Sequence, residues 1–574
     1  MKLFKNNIVF KTALVLLLTS LTFTGCSDYL DVDTDTDDPK VVDNGPLLTS
    51  IEITVGNLTD FRFGGGQLFA VYTHQQTARG NEDQYAAKVN DGNVDNDWQF
   101  VYSNLTDIES LIKQAKSTNN NAYLGIAKVL KAYSMSVAVD IWGDVPFTEA
   151  TKLELGIRNP KYDNQKDVYD AVFALIDEAK VNLLAPASTV GAPAADDVFY
   201  GGNLSKWVKF ANTLKLKLYN QTRLAPSFNV AGLNALLADN NFMGSSADDF
   251  QFVHYNTVLP RNERNNLYVQ SYSSTQFGSY QSPWMYEILK GVNPNIHTTN
   301  RDPRMPYYYY NQLKANQLPE GGTTANPAAD YWDKSSGFFT IRFASNGPNR
   351  NSSMENSYTY PGIFPAGGRY DDGFGGSVKL AANANEAFKG SGIAPKRILT
   401  YDEYLFIRAE LMQVSLLAGP GTAATVLTDA ITANFVKIDQ VVSNSGTSQT
   451  VPTLSGTPAA TTFIANIGTE FAAASSAKKL EIIMTQKWVA TYGDPFDQYN
   501  DYRRTGYPIL ADPGATTGEY QLNNGAGFPP LNDAETQAAS AYQLSLFWPQ
   551  AQLNLNNRAP GQKNPLTYKI FWDN

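Results

Sequence analysis

The sequence predicts a mainly α-helical protein in which paired helices carry a large irregular, loop-rich lobe. Three observations predict it. Apolar residues recur at helical spacing through several long segments. Small residues (Ala127, Ala132, Ala171, Ala409) fall on the faces where those helices would touch. Between the helical segments, residues 251–398 change composition and become rich in Tyr, Asn, Gly, Pro and Ser. A stretch of that length is too aromatic to be a solvated linker, so it is expected to be an ordered lobe mounted on the helices.

The elements follow in chain order. Residues 1–25 read as a signal peptide: Lys2, Lys5 and Lys11 precede the apolar run from Ala13 to Phe23, too short to span a bilayer but suited to a signal core. The run ends Phe23-Thr24-Gly25-Cys26, which resembles a bacterial lipobox. Cys26 is the only cysteine in the chain and is the expected lipidation site. Several acyl chains on one residue give stable anchoring, which a single chain does not. Residues 26–45 read as a lipidated acidic tether, with six Asp between positions 28 and 38 that repel one another and keep it extended.

Residues 46–574 read as one domain, with its helical scaffold at about 100–240 and 400–510 and the irregular lobe at about 251–398. Ile126, Leu130, Tyr133, Val137 and Ile141 share one face of a helix that stops before Gly143. Val168, Val172, Leu175, Ile176, Ala179 and Leu183 define a second helix. In a third, Leu204–Leu224, Trp207, Phe210, Ala211, Leu214 and Leu218 face inward while Lys206, Lys209, Lys215 and Lys217 face largely outward. Thr400 and Glu403 form a capping box for Tyr401–Ala418. Ala424–Val436 and Lys478–Tyr492 complete the set, and residues 442–462, rich in Ser, Thr and Gly, read as a mobile surface loop. Such pairs suggest tetratricopeptide-like stacking, although no clean 34-residue period is present.

Charge and composition exclude several functions. With Lys+Arg 45 against Asp+Glu 55 the net charge is −10, and the three signal-peptide lysines make the remainder more negative, which disfavours nucleic acid. One Cys and three His cannot build a disulfide framework or a Cys/His zinc site, so no metal and no cofactor are expected. No nucleophile elbow, phosphate loop or His-based metal motif is present.

Longer motifs carry a family resemblance. Ala127-Lys-Val-Leu-Lys-Ala-Tyr133 followed by Asp140-Ile-Trp-Gly-Asp-Val-Pro-Phe-Thr-Glu-Ala150 resembles the helix and turn of SusD/RagB outer-membrane lipoproteins. Trp207–Lys217, Leu399–Glu410, Gln486–Ala490 and Asp501–Pro508 agree in the same order, so the resemblance spans almost the whole mature chain. Near the C-terminus, Phe547-Trp-Pro-Gln-Ala-Gln-Leu-Asn554 has Trp and Gln where the family usually has Tyr and Glu. The resemblance implies four tetratricopeptide-like helix pairs, a ligand-binding lobe, and a SusC-like TonB-dependent transporter that this protein covers as a hinged lid. The acidic run after Cys26 resembles the signal that sends Bacteroidetes lipoproteins to the outer leaflet. The expected location is therefore the outer membrane, lipid-anchored and facing outward.

The expected function is capture of oligosaccharide, or alternatively of oligopeptide, without catalysis. Sugars are held by aromatic faces and by polar groups that bond their hydroxyls. Trp98, Trp284 and Trp332 are the first candidates for such faces, with Tyr286 and the run Tyr307–Tyr310, of which Tyr308 and Tyr310 are singled out. Arg79 is a candidate for a sugar hydroxyl or a peptide carboxylate. Core packing is the competing role for any one ring. Arg503 and Arg504 read either as bidentate acid binders or as buried ion-pair partners of Glu403 or Glu410. The competing classes are a surface glycoside hydrolase, which needs two carboxylates across a bond, and a scaffold that binds nothing.

Overall fold

The structure, a computed structural model, describes residues 42–80, 85, 87–186, 191–273, 279–323, 330–345, 354–378, 390–511 and 541–573. The signal peptide, Cys26 and the tether as far as residue 41 lie outside the described residues, while Asn44 and Gly45, read as tether, already belong to the first helix. The first scaffold half contains α1 (Asn44–Asn57), α2 (Gly66–Tyr72), α3 (Gly92–Ser117), α4 (Asn121–Trp142), α5 (Gln165–Leu183), α6 (Leu204–Thr222) and α7 (Val230–Asp239). Consecutive helices from α3 to α6 pack on one another, and α1 packs on α3 and α4. The second half contains α9 (Tyr401–Gln413), α10 (Ala423–Asn444), α11 (Pro458–Ala473), α12 (Ser476–Ala490) and α13 (Phe496–Thr505). Here α9 packs on α10 and α12, and α10 packs on α11. The lobe between them contributes α8 (Pro283–Lys290) and most of the short strands. Among the described residues, no helix is long and apolar enough to cross a membrane.

Strands occur as four antiparallel pairs of two to four residues each: β1 (Gln76–Ala78) with β3 (Ser279–Gln281), β2 (Phe250–Phe252) with β8 (Lys396–Leu399), β4 (Tyr309–Tyr310) with β7 (Tyr360–Pro361), and β5 (Tyr331–Asp333) with β6 (Phe338–Thr340). Two of these pairs tie the lobe to the scaffold halves, and two stay inside it. The lobe keeps a core of its own, with Leu267, Tyr268, Tyr280, Tyr310, Trp332, Phe339 and Tyr358 packed together.

Helix starts and stops follow local chemistry. Asp91 accepts the backbone N–H groups of Asn93 and Val94 at the start of α3, and Asn120 caps α4 through Tyr123. Helix α4 stops at Gly143, whose φ of +75° suits a residue without Cβ. A Cβ there would also lie 2.5 Å from the Tyr568 ring. The C-terminal segment closes over this turn, with the Trp548 Nε1–H donating to the Asp144 carbonyl at 3.0 Å. Asp140 is buried beneath it and accepts from Tyr169, Asn500 and Trp572.

Four sequence expectations are revised. Thr400 precedes α9 but its side chain caps nothing; the Tyr401 N–H instead donates to Asp249 at 2.7 Å. Glu403 is unavailable for a capping box because it turns inward to Lys487, 3.3 Å away, and α9 ends at Gln413 rather than Ala418. Lys215 and Lys217 are buried, with their ammonium groups on Asp177 and Asp497 at 2.5 Å each. Residues 442–462 are not a plain loop. Helix α10 extends to Asn444, α11 begins at Pro458, and between them the Asp439 carboxylate accepts the N–H groups of Leu454 and Ser455 at 2.7 and 2.9 Å.

Arg504 does make the buried ion pair. It forks onto Glu410, which Arg223 also reaches at 2.9 Å. Burial alone would raise the Glu410 carboxyl, but the two guanidinium groups and their hydrogen bonds hold it well below the usual carboxylate range. Arg503 takes a different course. It donates to the carbonyls of Asp140 and Leu544 at 2.7 Å each and lies over the Tyr499 ring, 3.9 Å from its centroid.

Candidate ligand-binding cleft

The lobe holds an open cleft of about 420 Å³. Helix α8 supplies Tyr286 and Lys290, and Pro283 at its first turn starts it where a missing N–H costs nothing. The segment 301–311 supplies Arg301, Tyr309 and Asn311, the β5–β6 turn supplies Ser335 and Ser336, and the following loop supplies Tyr370, Asp371 and Asp372.

The walls are fixed by bonds within the lobe. The Tyr286 ring stacks on Phe338, 3.7 Å between centroids, and its hydroxyl bonds Asp333 and Ser336. Asp333 also accepts from Lys290 and from the N–H and hydroxyl of Ser335. Asn311 spans the floor: its Oδ1 accepts from Thr359 at 2.7 Å, and its Nδ2 donates to Asp371 at 2.7 Å. The Asp371 carboxylate also accepts the Gly373 N–H at 3.0 Å. Burial pushes Asp371 up to about 6; those two bonds oppose the shift and the neighbouring Asp372 adds to it.

The mouth is wetter. Arg301 and Asp372 are exposed, and Tyr370 is half-buried with its edge on Tyr307 at 5.0 Å. The Tyr370 backbone is clamped by the Gln449 amide through two bonds of 3.0 Å. The next aromatic in the chain, Phe374, is 82% exposed. The Tyr309 hydroxyl is buried and has no hydrogen-bond partner among the described residues. The cleft thus offers an aromatic flank, carboxylate and amide acceptors, and guanidinium, ammonium and hydroxyl donors on a rigid frame. Among the described residues, no group of three or more His, Cys, Asp and Glu side chains converges as a metal site.

Of the residues singled out from sequence, only Tyr286 and Tyr309 line this cleft, and Trp332 and Tyr310 meet instead in the lobe core. Trp98, Trp284 and Trp332 are 4%, 2% and 4% exposed, so none offers a free ring face. This corrects the expectation that they are the stacking platforms. Trp98, on α3, packs edge-on against Trp142 at 5.1 Å and borders a separate hollow between Tyr102 and Tyr162. The Trp284 Nε1–H is tied to the Ile509 carbonyl at 3.0 Å, and Trp332 is part of the lobe core. Tyr308 and Tyr310 are fully buried, with their hydroxyls on the carbonyls of Val489 and Gly376. Arg79 is half-buried just beyond β1, outside the cleft. Tyr286 and Tyr309 do line the cleft, but as wall and floor. The groups that sequence reasoning missed are Lys290, Arg301, Asn311 and the run Tyr370-Asp-Asp-Gly-Phe374. The missed signal was an aromatic-acid-acid-Gly-aromatic turn inside a segment already recognised as ligand-bearing.

Comparisons with known proteins agree with this architecture. No curated protein is significantly similar to the chain. A SusD homolog from Bacteroides fragilis superposes with a TM-score of 0.64 at 19% identity, covering 93% of this chain and 99% of that one. A SusD/RagB family protein from Bacteroides thetaiotaomicron gives 0.62 at 18%, covering 90% and 95%. A chitin-binding SusD homolog from Flavobacterium johnsoniae gives 0.61 at 19%, covering 92% and 97%. At such identities the likeness is one of fold. The sequence model of a SusD-like family, described as "Starch-binding associating with outer membrane", matches residues 37–529. With that match running through both scaffold halves and the lobe, the chain belongs to the SusD-like family.

Proposed function

We propose that the protein is a non-catalytic nutrient receptor, lipid-anchored through Cys26 to the outer face of the outer membrane, that captures oligosaccharide and delivers it to a SusC-like TonB-dependent transporter. The observation that carries this reading is the lobe cleft. Tyr370 offers a ring at its mouth, the exposed Phe374 follows four residues on, and the Asn311–Asp371 pair, Asp372, Arg301 and Ser335 line it as hydroxyl partners. Family membership supports the outer-membrane setting, and the chitin-binding homolog supports a glycan over other nutrients.

The placement of the acids supports binding without turnover. Among the described residues, Asp371 and Asp372 are the carboxylates that line the cleft. They are consecutive residues of one turn on one wall, whereas glycoside hydrolysis uses carboxylates on opposite sides of the scissile bond. Incubating the mature protein with a glycan and peptide array is expected to give glycan binding without product. Product formation makes it a hydrolase, and peptide binding that weakens with salt makes Arg301 and Lys290 a carboxylate trap instead. Cys26→Ala is expected to release the protein from the membrane fraction. Its retention there in cells lacking the transporter would overturn the anchor.

A further inference from the structure

The loop that follows β2, beside the C-terminal end of α1, sets exposed apolar side chains next to unpaired arginines. Val253, Tyr255, Val258 and Leu259 are 43%, 58%, 47% and 81% exposed, four large apolar side chains within seven residues. The loop is closed at its base: the Tyr255 N–H donates to the Glu263 carbonyl at 3.1 Å, and the Glu263 N–H to the Thr257 carbonyl at 2.9 Å. Val258 and Leu259 therefore form its tip. Its root is fixed, because β2 pairs with β8 and Phe252 seats against α1 at Gly56, where a Cβ would lie 2.6 Å from the ring. A cluster of bare apolar side chains on a fixed root marks a contact surface.

Behind the tip the surface is basic. An open hollow between the loop and α1 is bordered by Phe63, Val253 and Tyr255 together with Arg261 and Arg264. Arg261 is exposed and makes no ion pair among the described residues. Arg62, also exposed, lies over the Phe63 ring at 5.0 Å from its centroid. Arg264 donates to Asn262 at 3.0 Å and to Ser273 at 3.1 Å, both neutral, so it keeps its full charge. Against these three arginines the same rim sets one exposed acid, Glu263, while the neighbouring Asp60 and Glu52 are buried. The chain as a whole has a net charge of −10, so the local sign is opposite to that of the molecule.

An aliphatic tip, a tyrosine beside it and guanidinium groups behind it follow the order of a lipid leaflet: hydrocarbon, interface, phosphate. The anchor allows the contact. Helix α1 has 14 residues and is about 21 Å long, with the hollow at its C-terminal end beside Asn57. The tether enters at the other end, and the residues between Cys26 and Asp43 can span at most about 55–60 Å. That reach exceeds the helix length, so an acylated Cys26 and the loop tip can meet one membrane at the same time.

We propose that the loop 253–264, with Arg62, is a membrane-docking surface: Val258 and Leu259 enter the edge of an anionic lipid leaflet, Tyr255 lies at its interface, and the three arginines take phosphate-bearing headgroups. The inference rests on the outer-membrane setting proposed above and on no reading of the lobe cleft. A contact of so few side chains is weak and reversible, so it orients a tethered protein and does not retain one that has lost its anchor.

The test uses the mature chain carrying Cys26→Ala, which bears no acyl group, floated with concentrated vesicles of phosphatidylethanolamine and phosphatidylglycerol, or of phosphatidylethanolamine and phosphatidylcholine as the neutral control. Binding is expected to the anionic vesicles and is expected to weaken severalfold at high salt. Arg62→Gln with Arg261→Gln, both at exposed positions, should weaken it about tenfold or more, since each basic side chain near an anionic surface contributes about a factor of five. Val258→Ser with Leu259→Ser should weaken it about tenfold through lost apolar burial. Leu153→Ser with Leu155→Ser, at scaffold leucines 67% and 69% exposed, should leave it unchanged. No vesicle binding, equal binding to neutral and anionic vesicles, a tip variant that binds as the parent does, or an equal loss at Leu153 and Leu155 overturns the proposal. If vesicles are not bound and the tip variant instead loses co-purification with the transporter, the loop is a protein contact and the proposal falls. Because the chain tested bears no lipid, either result leaves the Cys26 anchor to its own test in cells.

Discussion

The helical scaffold and the lobe solve the same problem, an unsatisfied buried backbone, in opposite ways. In the scaffold, helices satisfy their own N–H and C=O groups, so side chains are free to pack apolar faces, as Ile126, Leu130, Val137 and Ile141 do with no exposure above 1%. The lobe has short strands and little helix, and its carbonyls need partners from side chains. Tyrosines supply some of them: Tyr272 donates to Pro361 and Tyr310 to Gly376, while Tyr307 and Tyr308 donate to the scaffold carbonyls of Pro452 and Val489 and fasten the lobe down. An aromatic-rich segment in such a lobe is therefore first a framework and only second a binding surface. Free ring area is left where side chains reach the surface, at Tyr255, Phe374 and in part Tyr370.

The contrast yields graded predictions. The largest effect is expected in the scaffold. Arg504→Ala leaves the buried Glu410 carboxylate with only Arg223 and the Asn220 amide beside it, and a loss of about 3–5 kcal/mol in chemical denaturation is expected. A loss under about 1 kcal/mol would show that the helices do not depend on the pair. At the rim, Tyr370→Ala with Phe374→Ala is expected to weaken glycan binding by about 1–3 kcal/mol in calorimetry, with the unfolding midpoint nearly unchanged. If stability fell while affinity held, the rim rings would be framework too.

Smaller again, Tyr308→Phe removes one buried hydroxyl from the Val489 carbonyl, and a loss of about 1 kcal/mol in stability with no change in affinity is expected. The smallest effect is one of pH. The folded Asp371 carboxyl, pushed up to about 6, lies above its ordinary value near 3.8, so its protonated form is favoured by folding. Its contribution is full below about 3.8 and declines as pH rises through about 6. The stability difference between the wild type and Asp371→Asn should change across that window and be flat above pH 7. A flat difference from pH 4 to 7 would show the carboxylate to be solvated.

Legibility differed between the two regions for the same reason. The helices at Asn121–Trp142, Gln165–Leu183 and Leu204–Thr222 were readable because a single periodicity decides both helix and buried face. Arg504 with Glu410 was readable as one of the options, since a buried guanidinium needs an acid. The fate of Trp98, Trp284 and Trp332 was not readable. A ring that stacks on sugar and a ring that packs edge-on against Trp142 have the same composition and the same local context.

By itself, then, the sequence determined the helical scaffold, because its helices are written in local period. Tertiary structure alone decided which side chains face ligand. Asn311 meets Asp371 across 60 residues and Phe252 meets Gly56 across nearly 200, and only the folded chain sets such pairs at contact. The same holds for Thr400 and Lys217, whose local roles as cap and solvated charge were overruled when Glu403 found Lys487 and Lys217 found Asp497. Exposure is a property of the whole packing, and no window of sequence contains it.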